Sequence, residues 1–525
     1  MSQIETTATS PTTHRLARAA SLVMVLFLAS RALGLLREVV IARQFGTSAE
    51  MDAYLAAFRL PDFLFYVVAG GALGSAFIPI FTGYLAREDL PGAWRLASAV
   101  INWVALFLTG LGGLAALFAP WIVQHFFADF APAQQTLTVE LMRWMLISTV
   151  IFGVSGVVMG ILNAHQHFFL PALAPVIYNL AIILGAWLLG PVWGVRGLTA
   201  GVVIGAASHL LVQLPGLLSG ERLRYQPVLA WRDPSLREVA RLMGPRVLGL
   251  AAVQLNFVVN AVLAAGLTAG SLTALNYGWI IMLLPQGIIA QAVATALFPT
   301  LAALAATEQW AELRRIFALT LRSLLFLTLP AAAGLLVLSE PLVRLLLERG
   351  KFDPAATTAT AWALSFFALG LTGHAVVEIA TRAFYALKNT KTPVAVGVAA
   401  MAVNIGLSWL LLRLFAQWGW PPHGGLALAN SIAVTLEMIA LLALLRPQMG
   451  GLAEGGLVEA VAKMGLATAG MALALALLLP FLPPAPGWLG GVMGVGIGSL
   501  VYLGLVYLLR VDEIKTISRN LMRRN

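Results

Sequence analysis

Long apolar runs, separated by short polar loops, recur along almost the whole chain. A helix that crosses a bilayer needs about 20 apolar residues, and by that measure the sequence predicts about fourteen spans. They lie at 17–44, 52–85, 93–123, 137–163, 168–190, 192–219, 236–266, 271–304, 313–346, 356–387, 391–416, 425–446, 456–482 and 486–510. The pattern therefore predicts an all-α polytopic membrane protein.

The spans fall into two halves with related patterns. Ser75–Pro79 (SAFIP) recurs as Thr295–Pro299 (TALFP), and each is followed by an amphipathic stretch that contains Trp and Arg. Gly197-Leu198, which opens the sixth span, is matched by Gly425-Leu426 at the twelfth. Chance similarity between apolar segments rich in Pro and Gly is the alternative. We favour two six-helix lobes in parallel repeat, a common plan among transporters.

The repeat predicts the domain boundaries. The interval between the halves is polar, basic and aromatic, which is typical of a linker at the membrane interface. We predict an N-terminal lobe at 1–219, a cytoplasmic interfacial linker at 220–235, a C-terminal lobe at 236–446, and an extra helix pair with a basic tail at 447–525.

Composition agrees with a membrane protein and sets its orientation. The chain is 60% hydrophobic and 11% charged, whereas a soluble protein carries about 25% charged residues. The formal charge of +10 comes from basic residues that cluster in the loops after spans 2, 6, 8 and 10 and in the C-terminus. This positive-inside pattern places both termini in the cytoplasm and explains the charge without a nucleic-acid partner. The chain has no cysteine, which excludes disulfides and thiolate metal sites.

The first span carries charges far inside its apolar run, at Arg31, Arg37 and Glu38. A charge at the centre of a membrane helix costs roughly 2.5–3.5 kcal/mol even on the lenient insertion scale. One interpretation is a signal-anchor helix whose arginines extend to the interface. Arg31 lies a dozen residues into the run, which favours a use for these charges within the membrane.

Together with Asp52 and Arg59, these residues predict a cationic chamber partly balanced by acids. A guanidinium forms paired hydrogen bonds with phosphate oxygens and stays charged when it is desolvated, which suits an anionic phosphate ligand. Gly34 would permit a bend that turns both arginines of the first span to one cavity. The alternative is a set of structural ion pairs, such as Arg37 with Asp52.

The second half carries different polar groups. Asn256, Asn260 and Asn404 could supply oxygens to Na⁺, although no certain carboxylate accompanies them. Glu378 and Arg382 are four residues apart and are expected to pair. His374 could relay protons, but a lone histidine on an apolar helix is more often structural. No enzyme signature is present, because paired intramembrane aspartates for Mg²⁺ and the spacings of catalytic triads are lacking.

Several motifs resemble the MurJ/MviN family of the multidrug/oligosaccharidyl-lipid/polysaccharide exporter superfamily. The resemblance covers nearly the whole chain and is most specific in the first two spans. It is carried by Ser30-Arg31, Gly34, Arg37-Glu38, Ala42-Arg43, Gly46, Asp52, Arg59-Leu60-Pro61, Gly350-Lys351-Phe352 and Lys388 to Pro393.

The resemblance implies a substrate and a set of site residues. The substrate would be lipid II, the undecaprenyl-pyrophosphate-linked peptidoglycan precursor, moved by alternating access across the bacterial cytoplasmic (inner) membrane. Ser30, Arg31, Arg37 and Arg59 would bind it, with Glu38 and Asp52 as charge partners. The family's arginine in span 2 corresponds here to Phe65, and an arginine and a glutamate in span 8 correspond to Ile280 and Leu283.

We therefore expect a lipid II flippase of cell-wall synthesis and not an enzyme. The expected partners are the lipid-linked precursor, membrane lipids and other wall-synthesis proteins. No cofactor is expected beyond coupling to Na⁺ or H⁺. The missing arginines leave three alternatives open: replacement by Arg59 and Arg246, an exporter of another polyprenyl-linked saccharide or a drug, and a transport-dead scaffold for wall synthesis.

Overall fold

The computed structural model describes residues 11–68, 72–218, 224–451, 456–481, 487–511 and 513, without the side chains of 11–20 and of several residues near 72–75 and 245–253. The described residues form α-helices joined by short turns, two π-helical turns and one 3₁₀ turn, and no β-strand occurs among them. The predicted all-α class is confirmed.

The first half of the chain contains the following helices: α1 Pro11–Phe45, α2 Ala49–Val68, α3 Ala72–Ala86, α4 Leu90–Phe126, α5 Pro132–Ala164, α6 Phe169–Leu184, α7 Gly190–Trp193, α8 Val195–Leu211 and α9 Leu214–Leu218. The second half contains α10 Pro234–Ala265, α11 Ser271–Gln286, α12 Ala292–Ala306, α13 Trp310–Val337, α14 Ser339–Leu347, α15 Pro354–Ala386, α16 Lys391–Gln417, α17 His423–Gln448, α18 Leu457–Leu478 and α19 Gly487–Leu508.

Most of the predicted spans coincide with one continuous helix, and several coincide with two helices in succession. The π turns Gly185–Leu189 and Gly287–Gln291 lie inside two of these runs. In the described part of the chain, 11 helical runs are long and apolar enough to cross a membrane. The multi-pass architecture is confirmed, and the count of about fourteen spans stays a prediction.

Turns of the same conformation end helices at corresponding positions in the two halves of the chain. After α3, Glu88 adopts φ 58°, and the Asp89 N–H donates to the Tyr84 carbonyl five residues back. After α12, Glu308 adopts φ 55°, and the Gln309 N–H makes the equivalent bond. A left-handed residue followed by this backward bond is a common way to satisfy the last carbonyls of a helix.

The same turn closes α5 at Gln166 and α15 at Lys388, with φ 59° at both positions. The offsets between corresponding turns are 220 and 222 residues, in agreement with the offset that the sequence motifs predicted. These matched turns are consistent with the parallel repeat, which stays a prediction from the sequence.

The structure divides into two compact units. The first comprises Met1–Phe45 with Ala49–Val258, and the second comprises Gly46–Ser48 with Val259–Asn525. The division falls inside α10, whereas the sequence set the lobe boundaries at 219 and 236. Those functional boundaries stay a prediction, and residues 220–223 of the linker lie outside the described residues.

The described part of the linker follows the side of α4 as an extended segment. The Trp103 indole N–H donates to the Leu229 carbonyl at 2.8 Å, and Asn102 Nδ2 donates to the Val228 carbonyl at 2.8 Å. The Gln226 N–H donates to Ser98 Oγ at 3.0 Å. These hydrogen bonds satisfy backbone groups of the exposed linker, which has no helical hydrogen bonds of its own.

The C-terminal helix pair packs against α13. Met464 and Met471 of α18 and Val506 of α19 are almost fully buried in a cluster that includes Phe326. The Tyr502 hydroxyl donates to the Phe326 carbonyl at 2.9 Å. The pair is therefore part of the packed core of the second unit, as expected of an added hairpin.

Candidate functional site

Arg37 is the centre of a polar cluster between α1 and α6. Its Nε donates to Glu38 Oε1 at 3.1 Å, and its Nη1 donates to Asn179 Oδ1 at 3.1 Å. Asn179 in turn donates through Nδ2 to the carbonyl oxygen of Ser30 at 3.3 Å. We call Arg37, Glu38, Asn179 and the Ser30 carbonyl the Arg37 cluster. Ser30 thus contributes its backbone oxygen to the arrangement.

The Arg37 cluster is shielded from solvent but not closed. The side chain of Arg37 is 27% exposed and that of Glu38 is 11% exposed. Tyr54 of α2 and Tyr178 of α6 lie within electrostatic range of the guanidinium. A guanidinium has five N–H donors, so the contacts with Glu38 and Asn179 leave donors for a further ligand.

Arg31 has a different environment, six residues earlier on the same helix. It is exposed, and its guanidinium carbon lies 5.3 Å from the centre of the Phe27 ring, within cation–π range. Helix α1 runs unbroken through Gly34, and nothing lies within 4 Å of the position that a Cβ on Gly34 would take. A bend at Gly34 that turns both arginines to one cavity stays a prediction.

Helix α2 contributes Asp52 and Arg59. Asp52 is 3% exposed and lies in the first turn of α2. The Nε of Arg59 is buried and has no hydrogen-bond partner among the described residues, while Asp62, one turn later, interacts with it electrostatically. Asp62, on the same helix, therefore partly balances the charge of Arg59. The predicted ion pair of Arg37 with Asp52 is replaced by the contact between Arg37 and its neighbour Glu38.

An aromatic layer occupies the position where the family has its span-2 arginine. The ring of Phe65 lies 5.6 Å from Phe152, and Phe152 lies 4.8 Å from Tyr178, edge to face. Because Tyr178 is near Arg37, the missing charge is replaced by apolar packing beside the Arg37 cluster. Ile280, which stands at the position of the family's arginine in span 8, is half-buried on α11. The side chain of Arg246 lies outside the described residues.

In the second unit, two of the three predicted asparagines meet. Asn260 Nδ2 donates to Asn404 Oδ1 at 3.2 Å, and Ser408 Oγ donates to Asn260 Oδ1 at 3.0 Å. Asn256 lies one turn before Asn260 on α10. The described residues contain no group of three or more His, Cys, Asp or Glu side chains arranged to hold a metal ion. Coupling to Na⁺ at these amides stays a prediction.

Two expectations for α15 are also decided by contacts. Arg382 Nη2 lies 2.9 Å from Glu378 Oε1, which confirms the expected pair. His374 Nε2 lies 3.1 Å from Asn430 Oδ1, and its ring packs edge to face on Trp279. These contacts favour the structural role of His374 over a proton relay.

An apolar groove lies beside the C-terminal helix pair. Its volume is about 470 Å³, and its walls come from α13, α14, α18 and α19, with Pro285 of α11. Tyr502 and Ser499 supply the few polar atoms of its lining. The groove fits hydrocarbon and not a charged group.

Asn179, Tyr178 and Asp62 are site residues that the sequence did not single out. Asn179 is separated from Arg37 by 142 positions, and no local pattern connects them. The signal that was available is the Tyr178-Asn179 dipeptide inside an otherwise apolar span. Asp62 was available three residues after Arg59, at a spacing that places the two on one helix face.

Three comparisons with known proteins place the chain in a family. The family model described as "Lipid II flippase MurJ" matches residues 41–487. A Rhizobium tropici protein named "Probable lipid II flippase MurJ" is 31% identical over 523 residues, which cover 95% of each chain.

Solved structures agree. One described as "Lipid II flippase MurJ, inward closed conformation" has 28% identity, a TM-score of 0.79, and covers 94% of this chain and 99% of its own. An inward-facing multidrug resistance transporter of the MATE family has 16% identity and a TM-score of 0.67, with 82% of this chain and 98% of its own covered, which indicates a shared fold alone. The chain therefore belongs to the lipid II flippase MurJ family.

Proposed function

We propose that this protein moves lipid II across the cytoplasmic membrane, so that the precursor reaches the side on which the cell wall is built. Membership of the flippase family supports the substrate. The Arg37 cluster supports binding at particular residues, because it holds a partly exposed guanidinium inside a membrane protein.

The headgroup would bind through its pyrophosphate. Arg31 is exposed and makes the first contact, and Arg37 then exchanges its bond with Glu38 for phosphate oxygens. Asn179 keeps Arg37 in position during the exchange because it is held by the Ser30 carbonyl. Arg59 is partly balanced by Asp62 and contributes less than the two arginines of α1. Alternating access of the two lobes would then expose the headgroup on the other side.

The polyprenyl tail would use the groove between α13, α18 and α19. Its walls are apolar, and its volume of about 470 Å³ holds part of a long hydrocarbon chain. Because the groove is as apolar as the hydrocarbon of the bilayer, the tail would pass between lipid and groove at little cost in free energy, and the groove would hold it by close packing alone.

Function as a drug exporter is the second candidate. Exporters of cationic drugs need an acidic cavity, and the charge described here on α1 is basic. A membrane scaffold that has lost transport is the third candidate, because Phe65 and Ile280 stand where the family has arginines. The retained Arg31 and Arg37 argue against it, because a charge inside a membrane helix costs roughly 2.5–3.5 kcal/mol and is usually kept for a function.

Reconstitution separates these candidates. Purified protein in liposomes should move fluorescent lipid II between leaflets, and a polyprenyl-linked saccharide with a different headgroup should move more slowly. Liposomes that move the second lipid and leave lipid II in place would assign the protein to another exporter. Liposomes that move neither lipid, with correctly folded protein, would support the scaffold.

We further propose that both termini are cytoplasmic, that the protein acts as a transporter and not as an enzyme, and that its partners are the lipid-linked precursor, bilayer lipids and other wall-synthesis proteins. The distribution of basic residues among the loops supports the orientation.

A further inference from the structure

Most acidic side chains on the membrane helices have a basic partner. Glu38 pairs with Arg37, Glu140 with Arg196 and Glu378 with Arg382. Asp62 interacts with Arg59. Pairing of this kind is expected because an isolated ion is costly in a medium that cannot solvate it.

Glu437 departs from this rule. It is half-buried on α17, and within the described residues it forms neither a hydrogen bond nor an ion pair. Helix α17 extends from His423 to Gln448, so at about 1.5 Å per residue the carboxyl lies roughly 16–21 Å from either end. On α17 it is therefore at least three turns from the nearer helix end.

The neighbouring helix leaves room for this carboxyl. A Cβ on Gly397 of α16 would lie 3.4 Å from Glu437 Oε1, so the glycine lets the acid lie against the backbone of α16. The side chain therefore occupies a slot between α16 and α17, about two turns after the start of α16 and three turns before the end of α17.

Several of the other titratable groups around α17 are engaged elsewhere. Arg382 is bound to Glu378, and His374 to Asn430. Arg413 stacks over Trp409 at 3.7 Å. The elements packed against α17 are α15, α16 and α11, and their remaining titratable residues, with those of α17 itself, are Lys388 next to α16, Lys391, Tyr277, Tyr385, His423 and Arg446.

We infer that Glu437 is a proton-binding site of the second unit. In its slot the carboxylate takes up one proton and becomes a neutral carboxylic acid, which removes the cost of an unpaired charge. It releases that proton when water reaches the slot. If the protein transports lipid II as proposed, this uptake and release couples the movement of the lobes to the proton gradient; the protonation itself does not depend on the transported lipid.

Infrared spectroscopy of the purified full chain in lipid nanodiscs tests the site without transport. As the pH is lowered from 8 to 5, the wild-type protein should gain the C=O stretch of a protonated carboxyl group, and Glu437→Gln should lack that part of the band. Glu437→Asp should shift it. Glu459→Gln is the matched control, since Glu459 is 71% exposed and an exposed carboxylate is ionised at pH 7. A band that Glu437→Gln leaves unchanged overturns the inference.

Flipping measured with and without a pH gradient across the liposome tests the coupling. Wild type and Glu459→Gln should respond to the gradient, and Glu437→Gln should lose the response. A Glu437→Gln protein that responds like wild type overturns the coupling role. If no variant moves lipid II at all, the proposed function fails, and the infrared result still decides the proton site.

Discussion

Arg31 and Arg37 lie on one helix, yet their contacts give them different tasks. Arg31 is exposed beside Phe27, whereas Arg37 donates hydrogen bonds to both Glu38 and Asn179. The charges, their depth and the proximity of Glu38 could be predicted from the sequence because they are local to one span. Asn179 could not, because it reaches Arg37 only through the packing of α6 on α1.

Replacing Arg31 tests substrate binding with little effect on folding. We expect Arg31→Ala to reach normal membrane abundance and to lose most transport, because an exposed guanidinium contributes little to stability. Arg413→Ala is the matched control, since Arg413 is also exposed and also stacks on an aromatic ring. Abundance and lipid II flipping are measured for both. Equal transport in the two variants would remove Arg31 from the site.

Replacing Arg37 should affect folding and transport separately. Arg37→Ala leaves Glu38 buried without its partner, at a cost of about 3–5 kcal/mol, so folded protein should decrease. The double variant Arg37→Ala, Glu38→Gln should recover abundance but not transport. Arg37→Lys should fold and flip slowly, because an ammonium keeps the charge without the paired hydrogen bonds. Full transport by the double variant would contradict phosphate binding at Arg37.

At the scale of helices, close packing depends on small residues that a hydropathy pattern does not distinguish. Where α8 passes α6 and its π turn, a Cβ on Gly201 would lie 2.9 Å from the Gly185 Cα and 3.1 Å from the Ala181 carbonyl oxygen. Helices in membranes approach through such contacts because lipid gives no hydrophobic drive for their association. The positions of the helices could be predicted from hydropathy, but which glycines make contacts depends on the partner helix.

Alanine substitutions at two glycines should therefore have opposite effects. Gly201→Ala adds a methyl group between two backbones and should lower the yield and thermal stability of the purified protein. Gly113→Ala, on α4 with nothing within 4 Å of its Cβ position, should be neutral or stabilising, since glycine costs about 1 kcal/mol relative to alanine in a helix. Thermal unfolding in detergent compares them, and equal midpoints would contradict the predicted contact.

At the scale of the whole molecule, the repeat was readable from sequence because proline and glycine mark equivalent turns. The left-handed turns at Glu88 and Glu308 repeat without any glycine, so sequence alone did not reveal them. The linker was expected to be amphipathic at the interface, and its described part is an extended segment bonded to α4. Those bonds are made by side chains more than 100 positions away, which no local pattern reports.

The orientation of the molecule is tested with single cysteines, because the chain has none of its own. We expect Thr307→Cys, in the exposed turn between α12 and α13, to be protected from an impermeant thiol reagent in intact cells. Ala128→Cys, in the exposed loop between α4 and α5, should be labelled. Both should react after the membrane is permeabilised. The reverse pattern in intact cells would place the basic loops outside.

Depletion of the protein in living cells, followed by measurement of lipid II in each leaflet, tests the central claim most directly. The account predicts that lipid II accumulates on the cytoplasmic leaflet and becomes inaccessible to reagents added outside. Expression of the wild-type chain should restore its exposure, and expression of an Arg31→Ala, Arg37→Ala variant should not. Lipid II that keeps its normal amount and leaflet distribution during depletion would contradict the assignment of this protein as a lipid II flippase.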